Sequence, residues 1–313
     1  MMRVLLTGPF GNIGSHTTAE LIRQGHQVRA FDLRTPRNEA TSQRLNHQHE
    51  VHWGDLRDAA AVNAAVQDQD VIVHLAAVIP PLSVEQPELA EQVNIGGTRN
   101  LIEAAKAQAK PPKFFFASSF DVFGYTADQP PPRRASDPVQ ATDDYSAHKI
   151  AGEALIKQSG LEYVIERFCD VPDIKEPHPI MFTIPLDQRF EIIHGDDIAL
   201  AVVNTLKTPA VWGQTILIGG GPRCQIRYRD YLFGMLDALG IGPLPEEAFG
   251  SPRYCTDWVD SEYSERLLHY QRHNADEIIQ DIAKEVGWKR YLAGLSRPIV
   301  RRNILKMSPY WKK

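Results

Sequence analysis

Short apolar runs alternate with amphipathic stretches through the first half of this chain. Arg3–Thr7 encloses Val-Leu-Leu between polar ends and predicts a buried strand. Comparable runs predict strands at 27–32, 50–54, 71–76, 113–118 and 161–167. Helical patterning predicts helices near 12–24, 58–67, 87–108 and 143–158. Such alternation implies an α/β fold with a parallel, doubly wound sheet. Tyr125 to Thr142 is polar and bears Pro130-Pro131-Pro132 and Pro138, so it predicts a loop. After Arg167 the pattern becomes irregular. A first domain over 1–167 and a smaller C-terminal cap over 168–313 are expected, with the segment near 190–218 returning to the first domain. No internal repeat is visible.

Composition narrows the class. With 313 residues, 43% hydrophobic and 23% charged, the chain can bury a full core. No apolar run approaches a membrane span, so no integral membrane association is expected. Met1-Met2-Arg3 runs directly into the first strand and does not read as a signal peptide. Cys169, Cys224 and Cys255 are odd in number and lack a Cys-x-x-Cys spacing, which reads as reduced thiols in a cytoplasmic protein without bound metal. His47 and His49 lack cysteine or carboxylate company and read as a solvated loop. A net charge of −5 argues against nucleic-acid binding. The charge is unevenly spread. From Trp288 to Lys313 there are eight basic residues (Lys289, Arg290, Arg297, Arg301, Arg302, Lys306, Lys312, Lys313) and no acidic ones. Val300, Ile304 and Met307 recur there at helical spacing, predicting a tail that docks on its own subunit or on the second subunit of a homodimer.

Two motifs carry chemistry. The first follows the first strand directly: Gly8-Pro9-Phe10-Gly11-Asn12-Ile13-Gly14, leading into an amphipathic run through Leu21 and Ile22. Glycines at 8, 11 and 14 fit a tight strand-to-helix turn, close backbone approach to a pyrophosphate, and close helix–strand packing. The helix N-terminus offers free N–H groups and a positive dipole end to phosphates. The second strand ends in Asp32, 18 residues beyond Gly14 (32 − 14), near the distance at which an acidic residue reaches the adenosine ribose. Its charge would repel a 2′-phosphate, so NAD is expected over NADP. Arg34 and Arg37 could soften that repulsion but read as a solvated loop.

The second motif is Tyr145-Ser146-Ala147-His148-Lys149, with Ser119 upstream after Phe114-Phe115-Phe116-Ala117-Ser118. Positions i and i+4 share a helix face, so phenol and ammonium can enter one cleft. A nearby cation favours phenolate and is expected to pull Tyr145 down from its ordinary pKa of about 10. Such a tyrosine can exchange a proton with an alcohol or carbonyl while hydride moves at the same carbon. Ser119 would hold the substrate oxygen. His148 reads as a second-layer or solvent residue. His74 reads either as lining the cofactor site or as capping its strand.

Taken in order, these segments resemble the extended short-chain dehydrogenase/reductase family, also called the NAD-dependent epimerase/dehydratase family. The resemblance runs from about Arg3 to Gly220 and implies a Rossmann-type sheet that binds NAD. It further implies that Asp55 and Leu56 of Gly54-Asp55-Leu56-Arg57-Asp58 meet adenine. Leu75, Ala76 and Ala77 pass the nicotinamide side, and Asn94 of Val93-Asn94-Ile95-Gly96-Gly97-Thr98 braces the central strands beside the cofactor. Ser119-Phe120-Asp121-Val122-Phe123-Gly124 matches the serine-bearing stretch, and Ile193-His194-Gly195-Asp196-Asp197-Ile198-Ala199 the late strand-to-helix junction. Expected cofactor contacts are thus Gly8, Phe10, Gly11, Asn12, Ile13, Gly14, Asp32, Arg34, Asp55, Leu56, Leu75, Ala76, Ala77, Asn94, Tyr145 and Lys149. The substrate side is expected at Ile79, Ser119, Phe120, Asp121 and Asp170.

The substrate half departs from the nucleotide-sugar members. Asp170 stands where they usually carry an asparagine, and its fixed charge would oppose a diphosphate. Phe190 stands where they tend to carry an arginine, with Arg189 one residue earlier. Only 24 positions separate Asp170 from His194 (194 − 170). The expectation is therefore an NAD-dependent oxidoreductase interconverting a secondary alcohol and a ketone on a small polar substrate, with Tyr145 as acid/base, Lys149 lowering its pKa and holding the nicotinamide ribose, and Ser119 orienting the oxygen. The alternatives are a nucleotide-sugar epimerase or dehydratase with tightly bound NAD, for which Asp121 sits at an acidic position of dehydratase relatives, and an NAD(H)-sensing binding protein.

Overall fold

Seven parallel strands form one sheet in the order β3-β2-β1-β4-β5-β6-β8 in a computed structural model that describes residues 1–45, 48–173, 177–288, 290, 294 and 296–312. His47, Lys289 and Lys313 lie outside the described residues. The strands are β1 (Arg3–Thr7), β2 (Gln27–Asp32), β3 (Glu50–Trp53), β4 (Val71–His74), β5 (Lys113–Ser119), β6 (Tyr163–Phe168) and β8 (Thr215–Ile218). The central strands are buried on both faces, which is why they read as continuous apolar runs. Strand order reverses between β1 and β4, the place where doubly wound sheets form a crevice at the carboxyl ends of their strands.

Two helical expectations change. The stretch 87–108 is not one helix: Pro87–Glu91 runs into a wide π-helical turn, Gln92–Gly97, before Thr98–Lys106. Gly97 permits this packing, since a side chain there would begin 2.7 Å from Leu56 Cβ. Arg34 lies in the short loop after Asp32, but Arg37 lies on helix α2 (Pro36–Arg44), started by Thr35, whose side chain accepts from Asn38 N–H, and by Pro36 at the first position. Only Ser42 of α2 is buried, so it has no apolar stripe to betray it.

The cap is built on a two-stranded antiparallel ribbon, β7 (Arg189–Glu191) with β9 (Gln225–Arg227), and on helices Tyr228–Ala238 and Ala275–Val286. Phe182, Phe190, Tyr228, Ile278 and Ile304 share its core. The basic tail docks on this cap. Helix Arg297–Leu305 buries Ile304 and packs Val300 against the same core, while Arg297 Nε and Arg301 Nη1 donate to Ile241 O at 2.8 and 3.1 Å. Among the described residues no helix is long and apolar enough to cross a membrane.

Candidate active site

The glycine turn is built by close approach. A side chain on Gly14 would begin 1.9 Å from Gly8 O, so only glycine lets helix α1 (Asn12–Arg23) sit this tightly on β1. Gly8 has φ +67° and lies against the Ala76 backbone, where a Cβ would stand at 2.9 Å. Gly11 differs: a Cβ there would meet only Gly8 O at 3.5 Å, so its outer side is open. Helix α1 also starts with no side-chain cap. An open glycine beside uncapped N–H groups is a cradle for a pyrophosphate. Asp32 lies at the end of β2, accepts from Leu33 N–H at 2.8 Å and has its pKa raised by burial. Phe10 packs on Trp53, ring centroids 5.4 Å apart. Arg34 bonds Glu39 at 2.7 Å, and Asp55 is held by Arg57 at 2.6 Å, which keeps its carboxyl below the usual range.

A neutral hydrogen-bond chain ties this turn to the helix that bears Tyr145 and Lys149. Ala76 N–H donates to Thr7 Oγ1, which lies 2.7 Å from His74 Nδ1. His74 Nε2 lies 3.0 Å from Thr98 Oγ1, and that hydroxyl donates to Asn94 O at 2.6 Å. The Thr98 proton is thus spent on Asn94, so His74 Nε2 donates and Nδ1 accepts from Thr7. Burial holds the His74 pKa near about 3, keeping it neutral. His74 therefore caps its strand. The Asn94 side chain accepts from Val78 N–H (2.7 Å), donates to Val78 O (2.9 Å) and reaches His148 Nδ1 at 3.3 Å. Asn94 and His148 position the loop after β4 against the catalytic helix.

Ser119 closes β5, and Tyr145 and Lys149 lie on helix Asp144–Gln158. Ser119 Oγ accepts from Asp121 N–H at 3.2 Å, and its hydroxyl favours the ionised form of both the Tyr145 phenol and the Asp121 carboxyl. Lys149 Nζ donates to Ala117 O at 2.7 Å and lies 5.7 Å from the centre of the Tyr145 ring. Burial pulls the lysine down to about 8, against the pull of Glu153 and Asp121. The expected depression of Tyr145 does not occur here. Burial first, and the Asp121 charge second, push its pKa up, because the lysine is turned to a backbone carbonyl while the carboxylate faces the phenol. Asp121 is raised too, by burial and then by Asp170 and Asp143.

A buried ion pair behind this triad escaped the sequence reading. Glu153, one turn beyond Lys149, accepts from Arg167 Nε and Nη2 at 2.8 Å and from Ser118 Oγ at 2.7 Å. It locks β5, β6 and the catalytic helix together. The spacing of Glu153 four residues after Lys149 was the available signal. On the substrate side, Phe120 is buried in the main core with Val122 and Phe123. Ile79 is exposed, and Asp170 follows β6, joined to β7 by its N–H to Glu191 O at 3.2 Å. Arg189 points away from the cleft; its guanidinium binds Asp257 at 2.5 and 2.9 Å and the carbonyls of Thr126, Ala127 and Gln129.

A second polar cluster lies apart from Tyr145. His194, Asp197 and His273 offer ligand atoms within 4.8 Å of one another, beside a cavity of about 350 Å³ between α1 and helix Gly195–Thr205. Asp197 and the Nδ1 atom of each histidine are already engaged. Asp197 accepts from Arg272 N–H, His273 N–H and His273 Nδ1, and His194 Nδ1 accepts from Asp196 N–H. We read the cluster as a structural tie between helix Gly195–Thr205 and the segment that leads into helix Ala275–Val286.

The NAD dependent epimerase/dehydratase family model matches residues 4–172, and the chain belongs to that family. An uncharacterized protein of Sinorhizobium fredii is 29% identical over 217 residues, 64% of this chain and 52% of that one. A probable UDP-glucuronate 4-epimerase of Rhizobium meliloti is 37% identical over 134 residues, 39% of each chain. A 3 beta-hydroxysteroid dehydrogenase/Delta 5-->4-isomerase of Mycobacterium tuberculosis is 37% identical over 125 residues, 38% of this chain and 32% of that one. The matches thus span about a third to a half of these curated relatives. Among solved structures, the UDP-glucose-4-epimerase of Stenotrophomonas maltophila, with bound NAD and formylated UDP-arabinopyranose, superposes with TM-score 0.79 at 21% identity, covering 94% of this chain and 99% of that one. That likeness shows the fold.

Proposed function

We propose that this protein is an NAD-dependent enzyme that oxidises a carbinol carbon of a sugar-type substrate and returns the hydride to the same molecule, as an epimerase or dehydratase does. The convergence of Ser119, Tyr145 and Lys149 on the carboxyl end of β5, beside the glycine turn, carries this reading. The UDP-sugar names of the relatives support a nucleotide sugar as substrate. A one-way dehydrogenase on a smaller alcohol is the second reading, favoured by the engagement of Arg189 with Asp257 and by the acidic Asp121 and Asp170.

The open Gly11 and the uncapped α1 fit the pyrophosphate of NAD, and Asp32 fits its ribose. Bound NAD would supply the hydride acceptor. Ser119 would hold the substrate hydroxyl and Tyr145 would take its proton, returning it when the hydride returns. The raised Tyr145 pKa keeps the phenol protonated in the free protein, so it starts as an acid; it becomes a base only when positive charge is bound nearby. Lys149, with its pKa near about 8, would hold the nicotinamide ribose while protonated. Stabilisation of a homodimer is a further expectation of this reading.

Turnover with a UDP-sugar panel separates the readings. Product should appear with catalytic NAD and no bulk NADH. Stoichiometric NADH from a small alcohol would favour the dehydrogenase.

A further inference from the structure

An aromatic pair sits at the β3 edge of the sheet without serving a core. Phe10, in the glycine turn, is 3% exposed and packs on the half-buried Trp53, with ring centroids 5.4 Å and planes 41° apart. Neither residue belongs to any of the three apolar clusters formed by the described residues. The strand ends around the pair are stitched together. Gly8 N–H donates to Phe31 O at 3.2 Å, and Gly54 N–H donates to Asp32 O at 2.9 Å. Trp53 is paired in register with Asp32 at the carboxyl ends of β3 and β2, so the two side chains leave the same face of the sheet. His49 also meets Phe10, centroids 5.9 Å apart, and its Nε2 lies 3.0 Å from Ser42 Oγ of α2.

We propose that Trp53, braced by Phe10, is the face against which the adenine of NAD rests.

Strand order decides which half of the dinucleotide reaches it. β1, which leads into the glycine turn, stands two strands from β3 on one side and two strands from β5 on the other. At about 4.8 Å per strand, Trp53 and Ser119 each lie about 10 Å across the sheet from the turn, in opposite directions. With the pyrophosphate on the turn and the nicotinamide beside Ser119, the adenosine extends toward Trp53. Charge agrees. Asp32 stands opposite Trp53, and Asp55 follows it by two residues, held by Arg57 at 2.6 Å. Carboxylates oppose a phosphate but accept from ribose hydroxyls and from the amine of a base. A base also presents a π-face, and its contact with an aromatic side chain is worth about 5- to 150-fold in affinity. Phe10 fits the part of brace. Close approach forces glycine at 8 and 14 but asks nothing of position 10, and the phenyl ring there holds the indole.

This assignment rests on the NAD reading of the glycine turn, and the test separates the two. The purified protein would be titrated with NAD, ADP-ribose and nicotinamide mononucleotide, with binding read by calorimetry and by tryptophan emission together. NAD and ADP-ribose should both quench emission, as a base stacked on indole does, and nicotinamide mononucleotide should not. Trp53→Phe should lose most of that quenching and keep most of the NAD affinity, since an aromatic face remains. Trp53→Ala, checked for folding by its thermal melt, should weaken NAD and ADP-ribose alike by about 5- to 150-fold. NAD binding whose emission change is the same in wild type and in Trp53→Phe overturns the proposal. So does a folded Trp53→Ala protein that binds ADP-ribose as the wild type does; if that variant fails to fold, the phenylalanine comparison decides alone. A wild type that binds no NAD by calorimetry sinks the cofactor reading and this assignment with it. Bulk NADH from a small alcohol would change the reaction reading only and leave the Trp53 signal in place.

Discussion

The two halves of the crevice are held in place by different forces. On the cofactor side, position comes from contact and neutral hydrogen bonds: Gly14 against Gly8 O, Gly8 against Ala76, and the chain Thr7–His74–Thr98–Asn94–His148. On the substrate side, position comes from buried charge. Asp257 gathers Arg189, Thr126 and the Trp258 N–H, and Arg133 lies 3.7 Å away. Glu191 accepts from Gly221, Val259 and Gln225 and is pushed up to about 8 by burial. Contact fixes geometry at any pH. Charge fixes it only while the groups keep their ionisation, but a single substitution can retune it. The cofactor half should therefore fail by sterics and the substrate half by electrostatics.

Tyr145, at the seam, gives the largest expected effect. Tyr145→Phe should lower turnover by about 10²–10⁴-fold, the usual contribution of a general acid/base. Its NAD affinity, measured by calorimetry, should stay near wild type because the steric cradle is untouched. A parallel loss of NAD binding would merge the two halves into one unit and break the comparison.

Asp257→Asn comes next. It leaves Arg189 buried with weakened compensation, and removing one partner of a buried pair costs about 3–5 kcal/mol. Denaturant unfolding should register that loss while NAD titration of the folded protein is unchanged. A stability change within about 0.5 kcal/mol, as at an ordinary surface position, would show that the charge network is ornamental.

How far the sequence could be read follows the same division. Glycine at 8 and 14, the acidic end of β2 and the Tyr145–Lys149 spacing were legible because close approach and helix periodicity demand particular residues at particular offsets. Glu153 with Arg167, and Asp257 with Arg189, were not, because their partners come from distant segments and any charged residue looks solvated until the fold joins it. Helix α2 was missed for want of an apolar face, although Thr35 and Pro36 announce its start. The tyrosine pKa was misjudged for a related reason: the lysine was legible, and the opposing Asp121 was read as a substrate-side acid of the dehydratase kind rather than as a charge on the phenol.

A matched pair of glycines probes the steric half. Gly14→Ala puts a methyl 1.9 Å from Gly8 O, where only backbone movement can relieve it, and overpacking typically costs about 1–3 kcal/mol. NAD binding should weaken with it, since the turn itself must shift. Gly96→Ala meets nothing within 4 Å and should be neutral or gain about 0.4–1 kcal/mol from the stiffer unfolded chain. Thermal melts of both variants, at two pH values, test the pair; a Gly14→Ala penalty that depends strongly on pH would place charge where the comparison has none.

A further test lies in a single buried carboxyl. Glu166, on β6, accepts from Thr205 Oγ1 at 2.5 Å, and burial raises its pKa to about 8 against that one favourable bond. Between the ordinary value of 4.5 and about 8 the folded protein thus keeps a proton that the unfolded chain has lost. Fewer protons on the unfolded side means stability falls as pH rises through that window. The contribution is complete below pH 4.5 and gone above about 8. Glu166→Gln mimics the protonated acid at every pH, so it should remove this part of the slope and leave the share that belongs to Glu191. Urea midpoints at pH 5 and pH 8 measure it: the wild type should lose more than the variant between them. Equal losses would mean that Glu166 titrates alike in the folded and the unfolded chain.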